Sequence, residues 1–169
     1  MHQGRTGKIY RRDSGSIQIY EAMVKTGNDV LDTILTEKSL ACKENDIVVS
    51  CVADGKGLEF LHPIDLYTIF GNAMDNAIEC VKNLQKQEKR QIDVLIHRQH
   101  QFLIVQIMNP VEEELEFEDN LPVTTKHDKA YHGYGLRSIK NSVKKYNGVF
   151  QVKIKDGCFC LKILFPIKE

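Results

Sequence analysis

Polar positions crowd the first stretch of the chain, where Gly4, Gly7, Gly15 and Gly27 punctuate residues 1–27. Within it only Ile17, Ile19, Tyr20, Met23 and Val24 could line a short amphipathic helix. Asn28 is a residue type that caps helices, and Val30, Leu31, Ile34, Leu35 and Ala41 then recur at helical spacing. Residues 47–53 (IVVSCVA) are short and β-branched and predict a strand, with Asp54-Gly55-Lys56-Gly57 as the turn after it. Pro63 opens a long helix over 63–87, where its missing N–H costs nothing. Its apolar positions Leu66, Ile69, Phe70, Ala73, Met74, Ala77, Ile78, Val81 and Leu84 read as one stripe at a 3.6-residue period. Residues 92–96 and 102–108 predict a hairpin around the polar 97–101. Residues 110–132 show no period and many acids, which marks a long functional or mobile loop. Leu136, Ile139, Val143 and Tyr146 predict a third helix, stopped by Asn147-Gly148, and residues 149–154 and 158–165 close the chain as a hairpin.

The order is helix, strand, helix, strand, strand, loop, helix, strand, strand. It lacks the strict alternation of a doubly wound parallel sheet. It predicts an α+β two-layer sandwich: a mixed, mostly antiparallel sheet of about five strands with three helices on one face. Residues 1–27 stand apart from this unit, which spans 28–169.

Charge and cysteine content narrow the function classes. Lys plus Arg and Asp plus Glu are equal at 23 each, which argues against nucleic acid as a partner. The single basic cluster, Arg5, Lys8, Arg11 and Arg12, reads as a solvated end. No apolar stretch approaches the roughly 20 residues of a membrane span, and the first residues lack the apolar core of a secretory signal. The five cysteines, Cys42, Cys51, Cys80, Cys158 and Cys160, show no Cys-x-x-Cys spacing and read as small packing residues in a reducing cytosol.

Two segments carry candidate chemistry. On the helix at 63–87, Asn72, Asn76 and Glu79 fall on one polar stripe, which Asp65 and Asn83 extend. Hard cations such as Mg²⁺ take oxygen ligands, keep waters and share triphosphate oxygens. A carboxamide offers a neutral oxygen that does not repel phosphate. Downstream, His132-Gly133-Tyr134-Gly135-Leu136 reads as a glycine-rich start to a helix, where free N–H groups suit phosphate. Each segment alone is also what a solvated helix face or an ordinary glycine loop looks like. Their order, with Asn109 at a strand end and the long loop between them, joins them into a site for a nucleotide triphosphate.

In that order the chain resembles a known family. DLYTIFGNAMDNAIE resembles the N box of the GHKL ATP-binding superfamily, which holds gyrase, heat-shock chaperone, histidine kinase and mismatch-repair ATPases. HGYGLRSIKNSVKKYNG resembles its second glycine box, and KTGNDVLDTIL resembles the lead-in helix of the peptide-sensing quorum kinases of Gram-positive bacteria. The resemblance spans roughly residues 25–167. It implies the Bergerat fold and the ATP-binding catalytic domain of a sensor histidine kinase, with ATP and Mg²⁺ as ligands.

By resemblance Asn76 is the Mg²⁺-binding asparagine, and Asn72, one turn earlier, stands near the γ-phosphate as the catalytic position. Gyrase-like and chaperone-like ATPases carry a water-activating acid there, a role a carboxamide cannot fill at neutral pH. Asn109 matches the first glycine box, whose usual acid binds the adenine amino group; here the box is reduced to Asn109-Pro110. Residues 110–132 become the ATP lid. Gly133, Gly135 and Leu136 lie against the phosphates, with Lys126, His132 and Arg137 as further phosphate contacts. Glu79 stands where many relatives have Lys.

The resemblance further implies partners. The phosphoryl acceptor would be a histidine on a separate dimerisation domain, since none of His2, His62, His97, His100, His127 and His132 sits on a long amphipathic helix beside an acid. Residues 1–27 would be the remnant of an upstream helical dimerisation region or linker. A response regulator would act downstream, and the cytosolic domain would belong to a parent kinase in the cell membrane. Two other readings remain at this level: a stand-alone serine kinase of anti-sigma type, and a non-catalytic nucleotide-binding interaction module.

Overall fold

A computed structural model describes residues 9–11, 17–19, 24–112, 114–123 and 129–168, with side chains over 24–112, 114–123 and 134–168. The strands are β1 (Ile9–Arg11), β2 (Ile17–Ile19), β3 (Val48–Ala53), β4 (Gln91–Gln99), β5 (Phe102–Pro110), β6 (Glu116–Glu118), β7 (Leu121–Val123), β8 (Val149–Lys155) and β9 (Cys158–Pro166). Helix α1 is Asp29–Glu44. Helix α2 is one continuous rod in three parts: α-helix at Pro63–Leu66, a π-helical stretch at Tyr67–Gly71 and α-helix again at Asn72–Lys82. Helix α3 is Lys129–Lys144.

Seven strands form one sheet in the order β1-β2-β3-β4-β5-β9-β8. The five expected strands are its body, and among the described strands β3 and β4 are the one parallel pair, joined by the crossover through α2. The remaining pairs are antiparallel, so the sheet is mixed. The three helices and the five-strand body give the expected α+β sandwich. The short helix anticipated around 17–24 is instead the strand β2, which with β1 adds a hairpin to the β3 edge. Its alternation Ile17, Gln18, Ile19 is a strand period, and the register sets Ile17 and Ile19 opposite the buried Cys51 and Val49.

One face of the sheet makes the core. Val49 and Cys51, Ile92, Val94 and Ile96, Leu103, Val105 and Ile107, and Phe159, Leu161, Ile163 and Phe165 are all buried. Leu31, Ile34 and Leu35 of α1, Ile69, Phe70 and Met74 of α2, and Ile139 and Val143 of α3 cover them. Alternation along each strand keeps the opposite face half polar.

The geometry of α2 departs from the 3.6-residue stripe. Its buried positions form two adjacent rows, Asp65, Ile69, Ala73, Ala77 and Val81 beside Leu66, Phe70 and Met74, each recurring every four residues. In an ideal α-helix each four-residue step drifts by about 40°, so the longer row would wind about 160° round the rod. A wider turn at Tyr67–Gly71 takes up an extra residue, worth about 100°, and keeps the row on the core. Asp65 is therefore not part of the asparagine stripe. It is 4% exposed and faces inward, where its carboxylate accepts from Lys145 Nζ at 2.8 Å and from the Tyr146 hydroxyl at 2.5 Å.

Candidate functional site

The site is built where α2 and α3 meet above the end of β5. Odd-numbered residues of β5 point toward the helices, so Asn109 follows Leu103, Val105 and Ile107 into the protein, paired in register with Phe159. Asn109 is 1% exposed. Its Nδ2 donates to the Pro110 carbonyl at 3.1 Å, which fixes the orientation of the carboxamide. Its Oδ1 is buried with no hydrogen-bond partner among the described residues. A buried acceptor of this kind costs about 1–3 kcal/mol. It is a ready partner for an amino group, and the reduced box thus retains an acceptor where the resemblance places an acid.

Asn76 and Asn72 lie one turn apart on α2, both half-buried. The Asn72 Nδ2 donates to the Thr68 carbonyl at 2.7 Å. Its Oδ1 lies against α3, 3.4 Å from where a Cβ on Gly135 would sit. No hydrogen bond to a described residue takes up the Asn76 carboxamide, so its oxygen is available to a cation. Glu79 is engaged by Lys82, with Nζ 2.7 Å from Oε2, and Asp75 by Lys38 at the same distance. Those pairs leave the two asparagines as the neutral oxygen donors of this face. Among the described residues no three His, Cys, Asp or Glu side chains group as a metal cage. A magnesium ion here would draw on Asn76, water and phosphate oxygens, the usual habit of that cation.

Helix α3 starts earlier than the glycine-led reading placed it. It runs from Lys129, so Gly133 and Gly135 fall within its second turn rather than at its first free N–H groups. The run Lys129-Ala130-Tyr131-His132 contains no helix breaker, and single glycines lower helix stability without ending it. Leu136 is 3% exposed, its side chain in the core, which leaves its backbone as the part a ligand could meet. Arg137 is exposed on α3. Lys126 lies outside the described residues, and the side chain of His132 outside the described side chains.

The loop between β5 and α3 contains an element the sequence reading missed. β6 and β7 form a small antiparallel hairpin that packs on α3 through β7. Asp119 and Asn120, both left-handed at φ 52° and 62°, make its two-residue turn. That Asp-Asn pair between short β-prone runs was the available signal; Pro122 and the surrounding acids hid it. Leu115 and Leu121 are partly buried against the core. The described part of the loop carries Glu112, Glu114, Glu116, Glu118 and Asp119 and no Lys or Arg, so cations for a triphosphate have to come from elsewhere.

His97 Nδ1, also buried without a partner among the described residues, belongs to the opposite face of the sheet, in register with Ile104, and is no part of this cleft. No described helix is long and apolar enough to cross a membrane.

A family model described as GHKL domain matches residues 61–166. No curated protein matches the chain by sequence. Among solved structures, the Acinetobacter baumannii histidine kinase AdeS aligns with a TM-score of 0.57 at 12% identity, over 83% of this chain and 64% of that one. The chain thus spans just under two thirds of that protein's length. Two nucleotide-free forms of the catalytic domain of histidine kinase ThkA align with TM-scores of 0.57, at 14% and 16% identity. Each alignment covers 84% of this chain, with 92% and 93% of the ThkA domain. At these identities the likeness is one of fold.

Proposed function

The chain belongs to the GHKL family, whose match covers residues 61–166, and on that premise we propose that it is the ATP-binding catalytic domain of a two-component sensor histidine kinase. It binds Mg-ATP between α2 and α3 and passes the γ-phosphoryl to a histidine on a separate dimerisation domain. The observation that carries the nucleotide assignment is the buried, unpartnered Oδ1 of Asn109 beneath the cleft. Held by the Pro110 carbonyl in one orientation, it accepts from the exocyclic amino group of adenine. Asn76 gives its carboxamide oxygen to Mg²⁺, and Asn72 stands one turn before it at the γ-phosphate end. The backbone at Gly133, Gly135 and Leu136 runs beside the phosphates, with Lys126, His132 and Arg137 as the cations in reach. Bound Mg²⁺ supplies charge neutralisation of the triphosphate. The protein supplies orientation, on which phosphoryl transfer mainly rests.

The acceptor lies in another domain on this reading. His62 caps α2 with its Nδ1, and His97 and His100 belong to β4 and its turn, so none of them is set on a helix beside an acid. Residues 1–27 are the link to that domain, with β1 and β2 laid on the sheet edge. The lead-in segment KTGNDVLDTIL supports the peptide-sensing quorum branch, with a response regulator downstream and a membrane-held parent whose kinase domain faces the cytosol.

Titration with a fluorescent ATP analogue, with and without Mg²⁺, tests the core of the proposal. Saturable binding strengthened by Mg²⁺ is expected, and Asn76→Ala should remove the Mg²⁺-dependent part, about tenfold in affinity. Absence of saturable binding would leave an interaction module. Adding the parent's dimerisation domain should then give acid-labile phosphohistidine; phosphate on serine would instead identify a kinase of anti-sigma type.

A further inference from the structure

We propose that Asn72 is a positioning residue. Its amide closes the π turn of α2, and through that turn it acts on nucleotide binding by ordering Asn76 for the cation. The inference rests on the reading of the α2–α3 cleft as the Mg-nucleotide site.

The argument starts from the core. Asp65, Ile69, Ala73, Ala77 and Val81 are buried at four-residue spacing with Leu66, Phe70 and Met74 beside them, so packing holds the rotation of α2 on either side of the wide turn at Tyr67–Gly71. A π turn disturbs the i+4 ladder at its exit. Here the Asn72 N–H is directed at the Ile69 carbonyl and is not available to Thr68 in the ordinary helical way. The Thr68 carbonyl receives the Asn72 side chain instead, at 2.7 Å. One turn earlier the Thr68 hydroxyl donates to the Ile64 carbonyl at 2.9 Å. A ladder of two side chains, Thr68 and Asn72, thus stitches the widened turn along the row 64–68–72.

The consequence for the site is direct. One Nδ2 proton is held inside its own helix, which fixes the carboxamide with its Oδ1 on the side of Gly135 of α3, one turn before Asn76. A polar side chain at 72 is therefore required by the helix, whichever ligand occupies the cleft.

A double-mutant comparison separates this role from direct contact. Deleting Gly71, where a Cβ would meet nothing within 4 Å, removes the extra residue. It returns the turn to α geometry with both flanks in their present orientation, and the Ala73 N–H becomes the i+4 donor of the Thr68 carbonyl. In the otherwise intact chain, Asn72→Ala and Asn72→Asp should each weaken Mg-dependent binding of the ATP analogue about tenfold, since neither replacement donates. In the Gly71-deleted chain, Asn72→Ala should change affinity by less than about twofold. Equal losses in both backgrounds would mean that Asn72 touches the ligand and would overturn the proposal. Should the deletion not fold, exchange of the Asn72 side-chain amide protons, read by NMR on the intact chain without nucleotide, decides. Slow exchange is expected, and exchange as fast as that of an exposed asparagine overturns the assignment. That readout needs no nucleotide, so a chain that bound no ATP would refute the kinase reading while leaving the role of Asn72 separately testable.

Discussion

The Oδ1 of Asn72 lies 3.4 Å from the position a Cβ would take on Gly135, so the two helices of the cleft meet at a carboxamide on one side and a missing side chain on the other. Gly135 sits inside α3, where a glycine lowers helix stability by about 1 kcal/mol relative to alanine. Gly135→Ala therefore pulls two ways. The added methyl reaches contact with the Asn72 carboxamide and fills the gap between the two helices, while the helix gains propensity. Thermal stability should rise by up to about 1 kcal/mol as affinity for the Mg-bound ATP analogue falls several-fold. Melting curves and titrations on the same variant check both signs; a loss of stability would mean that Asn72 cannot yield.

Asp65 offers a second test, away from the cleft. Lys145, with the Tyr146 hydroxyl behind it, holds the Asp65 carboxyl below the usual carboxylate range against the opposing effect of burial. This network ties the first turn of α2 to the end of α3, and the Tyr146 hydroxyl also accepts from the His62 N–H at 3.0 Å. Asp65→Asn should cost about 1–2 kcal/mol by weakening two hydrogen bonds to a charged acceptor. Lys145→Ala should cost less than Asp65→Asn, because that side chain is 60% exposed and the Tyr146 hydroxyl still donates to the buried carboxylate.

The pH dependence of the Asp65 contribution has a definite sign. Its folded pKa lies below the unfolded value of about 3.9, so its stabilisation is fully present above that value and is lost as pH falls through the folded pKa. Urea unfolding of wild type and Asp65→Asn should show a constant gap from pH 7 to pH 5 and a narrowing one only below about pH 4. A gap that closes near neutrality would contradict the assignment.

What the sequence made legible follows from how locally each signal is encoded. The five body strands could be read because each alternates or is β-branched over several residues, as in the buried Ile92, Val94 and Ile96. The hairpin β1–β2 could not, because three residues per strand carry too little pattern. Asp65 was misplaced because the stripe was read at an unbroken 3.6 residues per turn, while the π turn at Tyr67–Gly71 rotates Asp65 relative to Asn72 and Asn76. Motif order alone named Asn72, Asn76, Asn109 and the Gly135 helix together, and the structure brings the Asn72 side chain beside that helix. Two points were not legible: the commitment of Asn72 to Thr68, which depends on the π turn, and the start of α3 at Lys129, which glycines at 133 and 135 concealed.

Thiol chemistry gives an independent check on the core. Burial pushes the Cys42 and Cys51 thiols up to about 12. At pH 8 the thiolate fraction of such a group is about 10⁻⁴, so an aromatic disulfide reagent should not label either in the folded protein. Of the five cysteines, two should stay silent until denaturant is added. Cys158 and Cys160, half-buried on the open face of the sheet, should react before them. Early labelling of Cys42 would mean that α1 opens from the sheet.

Asn109 sets stability against recognition most sharply. Its Oδ1 is buried without a partner, a cost of about 1–3 kcal/mol that an apolar residue of similar shape would not carry. Asn109→Leu should therefore hold or raise the melting temperature, and should lower affinity for the ATP analogue by about tenfold through loss of the acceptor for the adenine amino group. The same change should erase discrimination between ATP and inosine triphosphate, which carries an oxygen in place of that amino group. Asn109→Asp, which keeps an acceptor at the same position, should preserve the preference for ATP. Competition titrations of the two nucleotides against wild type, Asn109→Leu and Asn109→Asp give the comparison. A wild-type protein indifferent to the amino group would remove Asn109 from base recognition, and its unpartnered oxygen would then have to answer to some other donor.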